Sequence, residues 1–376
     1  MRGNRNMKRF RVAVVGGGHL GQIHAKLLKA NPSVELVAVC DPQPLVQQKF
    51  IQQFDLRAVS DARKIIDEID GAVIATPTTL HHGISRDLLQ AGKHLLIEKP
   101  VTNTLAEGLE LLEFAQAHKA VVQVGHVERF NPAIQAALGK IGTPRFIESQ
   151  RMSGFTFRST DIGVIQDLMI HDIDLVQWIF NGLPSDIQSI GISVFGQNED
   201  IAQARLQFPC GAVASLTSSR CSYQPVRRMN IFGTHGFASV DMTAGKVQVV
   251  EVPSWIRGRV LDFFSLNAEQ QAFVREKLFS EVLAKSEMPI EPANAIDLEQ
   301  RDWLQAIANG EAPAVPLESG VAAVRTAETI RNQCAAHGWM KNDEQMRGIF
   351  ATPATRFDRQ SDSLPTMLQP AQRKVA

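Results

Sequence analysis

From Phe10 to His126, short apolar runs alternate with stretches of helical period. The runs are "RVAVVG", "VELVAVCD", "GAVIAT", "HLLIEKP" and "AVVQVGH". Between them, "LGQIHAKLLKA", "PLVQQKFIQQF" and "TLAEGLELLEFAQAHK" bring apolar residues back every three or four positions. Apolar runs of four to eight residues between helices read as parallel strands buried on both faces. The pattern predicts a doubly wound α/β domain over residues 1–127. After Asn131 the pattern changes. One helix, "GVIQDLMIHDIDLVQWIF", precedes the strand-like segments "DIQSIGISVFG", "AQARLQF", "GAVASLTSS", "RRMNIFG", "FASVDM" and "KVQVVEV". Turn signals such as "PCG" and "THG" join them. This predicts an α+β domain over 128–340 with a large, mostly antiparallel sheet, closed by helices around "AIDLEQRDWLQAIANG" and "ESGVAAVRTAETIRNQCAAHG". Residues 341–376 are polar and broken by prolines, and read as a tail.

Composition narrows the function only by exclusion. The 376 residues carry 39 basic and 39 acidic side chains, so the bulk charge suggests neither a nucleic-acid nor an anionic-membrane partner. No apolar run approaches the ~20 residues of a membrane helix. Four scattered cysteines without a C-x-x-C pattern fit a reducing cytoplasm.

The chemistry begins in "VAVVGGGHLGQIHA", where Gly16, Gly18 and Gly21 have G-x-G-x-x-G spacing. It follows a strand and opens a helix, as a pyrophosphate-binding turn requires. Asp41 ends the second strand in "AVCDP", where a carboxylate accepts from ribose hydroxyls and repels a 2′-phosphate. The expected cofactor is therefore NAD rather than NADP.

Two further stretches suggest catalysis. "IEKP" sets Lys99 at the carboxyl end of a parallel strand, where ligands bind. "DLMIHDID" sets Asp167, His171 and Asp174 at i, i+4 and i+7, one face of a regular helix. That face admits three readings: an acid/base apparatus, a structural network (favoured for Asp174), or a metal site. No further ligands are marked, so no metal is expected.

The order of G-x-G-x-x-G, Asp41, "TPTTLHH", "EKP" and Asp-x-x-x-His resembles the Gfo/Idh/MocA oxidoreductase family over residues 9–338. The resemblance implies a Rossmann domain followed by a sheet domain, and assembly as a homodimer or homotetramer through the open sheet face. It makes Lys99, Asp167 and His171 catalytic. Its cofactor-binding set would be Gly16, Gly18, His19, Leu20, Gly21, Asp41, Thr76, Pro77, His81, Glu98 and Lys99. His24 reads as a packed helix residue. In "GHVERFNPA", Glu128, Arg129 and Asn131 are expected to face the same cleft, with Arg129 free for an anionic group and Asn131 for a sugar hydroxyl; Glu128 is equally readable as one half of a hinge bridge to Arg129.

With "DLMIHDIDL", "GHVERFNPA" is most similar to the branch of the family that oxidises the C3 hydroxyl of UDP-N-acetylglucosamine. That likeness implies a nucleotide-sugar substrate and a pathway aminotransferase making 3-amino sugars of the lipid A type. The alternatives are a family dehydrogenase of another sugar, inositol or UDP-uronic acid, and a non-catalytic NAD-binding regulator. A uronic acid would want an additional cation.

Overall fold

Six strands, β1 (Phe10–Val15), β2 (Val34–Cys40), β3 (Ala58–Val59), β4 (Gly71–Ile74), β5 (His94–Glu98) and β6 (Val122–Gly125), form a parallel sheet in a computed structural model of the chain. The structure describes residues 9–155, 162–195, 198–254, 257 and 262–336. The sheet order is β3-β2-β1-β4-β5-β6. The connecting helices are α1 (His19–Ala30), α2 (Pro44–Phe54), α3 (Thr78–Gln90) and α4 (Leu105–Ala117). Val12, Ala13 and Val14 are all fully buried, which is why the strand reads as an unbroken apolar run. The order reverses between β1 and β4, so a crevice opens at the carboxyl ends of those strands.

Helix α5 (Pro132–Leu138) leads into a second sheet of eight strands: β7 (Pro144–Met152), β8 (Asp186–Ile192), β9 (Ile201–Gln207), β10 (Val213–Ser219), β11 (Val226–Gly233), β12 (Gly236–Asp241), β13 (Lys246–Glu251) and β14 (Lys285–Met288). Their order is β14-β13-β12-β11-β7-β10-β9-β8, and only β7 and β10 pair in parallel. In β9, Ala202, Ala204 and Leu206 are buried while Gln203, Arg205 and Gln207 are exposed. One face of the sheet is thus dry and the other open. The dry face is covered by α5, α6 (Ile170–Ile179) and α9 (Leu317–Ala336). A short exposed helix, α7 (Ala268–Lys277), precedes β14.

Helix α8 (Ala295–Asn309) follows the second sheet in the chain but packs on the first. Trp303 is fully buried among Val12, Val14, Leu28, Val73 and Leu96, and meets Phe10 edge-on at 5.9 Å. The span 128–340 therefore contributes a helix to the first layer. The sequence pattern did not predict β3, β7, α5, α7 or β14. In β7 the inward positions include Ser149 and Arg151, so polar residues occupy the dry face and the period-two signal is lost. The polar tail 341–376 lies outside the described residues.

Candidate active site

The phosphate loop follows directly from the geometry of its glycines. Gly16 adopts φ +99°, and a Cβ there would lie 2.5 Å from the Ala75 carbonyl oxygen. A Cβ on Gly21 would lie 1.9 Å from the Gly16 carbonyl oxygen, so α1 can approach β1 this closely only with glycine. At Gly18 a Cβ would meet nothing, and no side chain caps α1 there. Backbone N–H groups and the positive end of the helix dipole therefore face an open space. Asp41 closes the loop: its two carboxylate oxygens accept from Gly17 N at 2.8 Å and Gln43 N at 2.9 Å. His19 and Leu20 stand exposed beside it. These residues fit a dinucleotide. A hollow of about 450 Å³ near the end of β2, lined by Pro42, Ser60, Arg63, Thr79 and Leu80, extends this surface; no sequence motif marks it.

A cleft of about 320 Å³ lies at the crevice, lined by Leu20, Thr76, Pro77, Glu98, Lys99 and Asp167 among others. The structure thus gathers residues expected at the cofactor with two of the three expected to be catalytic. Lys99 Nζ donates to the Asp167 carbonyl at 2.7 Å and lies 3.4 Å from the Asp167 carboxylate. His81 is buried between two walls of the cleft, its Nδ1 2.8 Å from the Pro100 carbonyl and its Nε2 2.9 Å from the Thr76 carbonyl. Burial depresses its pKa despite these carbonyls. Glu98 is held from below, since His24 Nε2 meets Glu98 Oε1 at 2.8 Å and Gln300 Nε2 meets His24 Nδ1 at 2.8 Å. Gln300 can only donate there, so the hydrogen of His24 sits on Nε2 and points at Glu98. Burial works against the Glu98 carboxylate, but the His24 bond wins and its pKa falls. His24 is packed, as expected, and also orients the carboxyl group next to Lys99.

The stripe Asp167–His171–Asp174 does not survive as one face. Residues Ile165–Met169 form a π-helical turn ahead of α6, so the regular 100° step fails between Asp167 and His171. Asp167 goes to Lys99. The His171 ring instead lies edge-on to His126, with centroids 6.4 Å apart. Its Nδ1 is buried without a protein partner. Burial pushes the His171 pKa well below its usual value, and Lys99, Arg151, His126 and Arg227 push the same way. Asp174 is 1% exposed and bound by Arg129, whose Nη2 lies 2.6 Å and Nε 2.8 Å from its two oxygens. It is a structural residue.

This corrects the expectation for "GHVERFNPA". Arg129 is buried and engaged by Asp174 and the Ala314 carbonyl, so it is not free for an anion. Glu128 accepts from Arg151 Nη1 at 2.9 Å, not from Arg129, and is buried. Asn131 caps α5 by accepting from Ala133 N at 3.0 Å, and its amide donates to Glu128. All three hold the junction of the sheets together. Sequence reasoning missed Asp172 and Arg151, a fully buried pair at 2.9 Å that fixes α6 to β7. Among the described residues, no three His, Cys, Asp or Glu side chains form a group that could hold a metal, and no helix is long and apolar enough to cross a membrane.

Two family models match the chain. One, an oxidoreductase family with an NAD-binding Rossmann fold, covers residues 10–126, and a GFO/IDH/MocA C-terminal domain covers 135–239. The UDP-N-acetylglucosamine 3-dehydrogenase of Acidithiobacillus ferrooxidans is 37% identical over 236 residues, 62% of this chain and 75% of that protein. Its solved structure superposes with a TM-score of 0.75 at 30% identity, over 87% of this chain and 98% of that one. The scyllo-inositol 2-dehydrogenase (NAD⁺) of Bacillus subtilis is 29% identical over 246 residues, 60% of this chain and 72% of that protein. A levoglucosan dehydrogenase solved with NADH and levoglucosan shares the fold, with a TM-score of 0.72 at 20% identity over 87% of this chain and 98% of that one.

Proposed function

The chain belongs to the Gfo/Idh/MocA family of NAD-dependent oxidoreductases, and from that premise we propose that it oxidises the C3 hydroxyl of UDP-N-acetylglucosamine to the 3-keto nucleotide sugar. The observation that carries the reading is the contact of Lys99 with Asp167, one turn ahead of a histidine that burial keeps neutral. NAD⁺ held at the loop of Gly16, Gly18 and Gly21 beside Asp41 would supply the hydride acceptor for the carbinol carbon. The hydroxyl proton must leave as the hydride does, and the His171 imidazole is its acceptor. His171 Nδ1 is enclosed without a protein partner, so Nε2 would be the nitrogen that takes it. The Lys99 ammonium, held by Asp167, stabilises the negative charge that grows on the sugar oxygen. The products are a ketone, NADH and one proton. The choice of sugar is supported by the 37% identity with UDP-N-acetylglucosamine 3-dehydrogenase.

The 3-keto product is the substrate class of an aminotransferase, which would install a 3-amino group for lipid A type sugars in the cytoplasm. The open face of the second sheet carries a ladder of Phe146, Phe232 and Phe237, with ring centroids 5.6 and 5.1 Å apart. It is the surface through which a homodimer or homotetramer would form. UDP-N-acetylglucosamine deuterated at C3 tests the chemistry: the label should appear in NADH. Label kept in the sugar while NADH accumulates would show that another carbon is oxidised.

A further inference from the structure

Arg129 is buried and paired, but β11 carries an exposed cation, Arg227. Arg227 is paired in register with Arg151 of β7, so both side chains project from the same, helix-covered face of the second sheet. The same inward row continues through Met229 and Ile231, both fully buried. Arg227 is where that row leaves the core and becomes exposed. Arg151 is neutralised by Asp172 and Glu128, two acids against one base. Among the described residues no acid pairs with Arg227. Its charge is nevertheless felt at both His171 and Glu128. Of the cations that weigh on His171, Lys99 lies against Asp167 and Arg151 against Asp172 and Glu128, whereas Arg227 has no acid among the described residues. An exposed guanidinium without an acid favours an anionic ligand beside it.

We infer that Arg227 anchors an anionic group of the substrate in the cleft beside His171, and so selects sugars that carry phosphate or carboxylate over neutral ones. A planar guanidinium with no protein acid to satisfy presents a fork of N–H donors that matches either oxyanion. The inference rests on the reading of the substrate as a nucleotide sugar. In that substrate the anion is the diphosphate; in a UDP-uronic acid a C6 carboxylate competes for the same role.

The test compares wild type with Arg227→Met and Arg227→Lys as NAD-loaded enzymes. UDP, uridine, UDP-N-acetylglucosamine and its uronic acid serve as probes, and NADH affinity as the check that the fold is intact. If Arg227 holds the diphosphate, Arg227→Met should raise Kd for UDP and KM for UDP-N-acetylglucosamine at least tenfold. Kcat should change far less, uridine binding should stay as it is, and Arg227→Lys should restore part of the loss. If Arg227 holds the carboxylate, only the uronic acid's kcat/KM should fall, with UDP affinity unchanged. Either result supports an anion anchor and identifies the anion. Arg227→Met that binds UDP and turns over both sugars as wild type does overturns it. A wild type that oxidises neither sugar but binds UDP through Arg227 would instead sink the substrate reading and leave the anchor standing.

Discussion

Lys99 Nζ donates to the backbone carbonyl of Asp167 at 2.7 Å and sits 3.4 Å from the Asp167 carboxylate, joining the end of β5 to the π turn ahead of α6. The two residues are 68 positions apart in sequence. The cation is held by a main-chain oxygen as well as a side chain, so its position depends on the π turn.

His171→Ala should lower kcat about 10²–10⁴-fold, as expected for removing a general base, while NAD binding stays nearly unchanged. Lys99→Met should lower kcat as well and weaken NADH binding, because Lys99 lines the cleft with Leu20 and Pro77. Since His171 titrates well below its ordinary value, wild-type kcat/KM should stay flat down through pH ~6.5 and fall only in more acid solution. The His171→Ala profile should lack that acid limb; a limb that persists would remove His171 as the base.

Asp41→Ser should narrow the preference for NAD⁺ over NADP⁺. It should also weaken both cofactors somewhat, because the Gly17 N–H loses its acceptor. Steady-state kcat/KM for the two cofactors measures this, and equal wild-type efficiencies would defeat the role given to Asp41.

Asp174→Ala leaves the Arg129 guanidinium buried without its carboxylate. Breaking a buried pair from one side costs about 3–5 kcal/mol, so the melting temperature should drop by several degrees or more. KM for the sugar should stay near wild type. A large rise in KM with little loss of stability would return Arg129 to the substrate site.

Stability should fall as the pH drops below about 6.5, because the buried rings of His81 and His126 and the half-buried His171 resist protons that the unfolded chain accepts. Glu98, whose folded pKa is lowered, should add to the loss once the pH falls through about 4.5. Glu299 works the other way. It is fully buried, neither oxygen has a hydrogen-bond partner, and burial with Glu98 nearby raises its pKa well above the usual range. Its cost therefore grows as the pH rises above about 4.5. Glu299→Gln should raise the melting temperature at pH 7–8 and by less at pH 5. Thermal melts across that range decide it, and a gain independent of pH would refute the assignment.

What could be read from the sequence was what lies close along the chain. The phosphate turn, Asp41 and the strand end at Lys99 are each signalled within a few residues, and the structure places them as expected. The helix over 163–180 was legible too, but its π turn was not, because nothing in "IQDLM" distinguishes that turn from a regular one. The three polar residues of "GHVERFNPA" were misplaced for a related reason. Whether an arginine faces water or an aspartate depends on Asp174, 45 residues away, and only the fold brings the two together. Arg227 carried no motif at all. Its place follows from strand register, which sets the face of every residue at once.

The return of α8 to the first sheet makes the order of the chain a poor guide to where it can be cut. A cofactor domain severed at residue 127 would lose Trp303 and expose Val12, Leu28 and Val73 to water. It would also lose Gln300, which keeps the hydrogen of His24 aimed at Glu98. An exchange of cofactor modules between relatives would therefore have to be made as a split graft, carrying residues 295–309 along with the first 127.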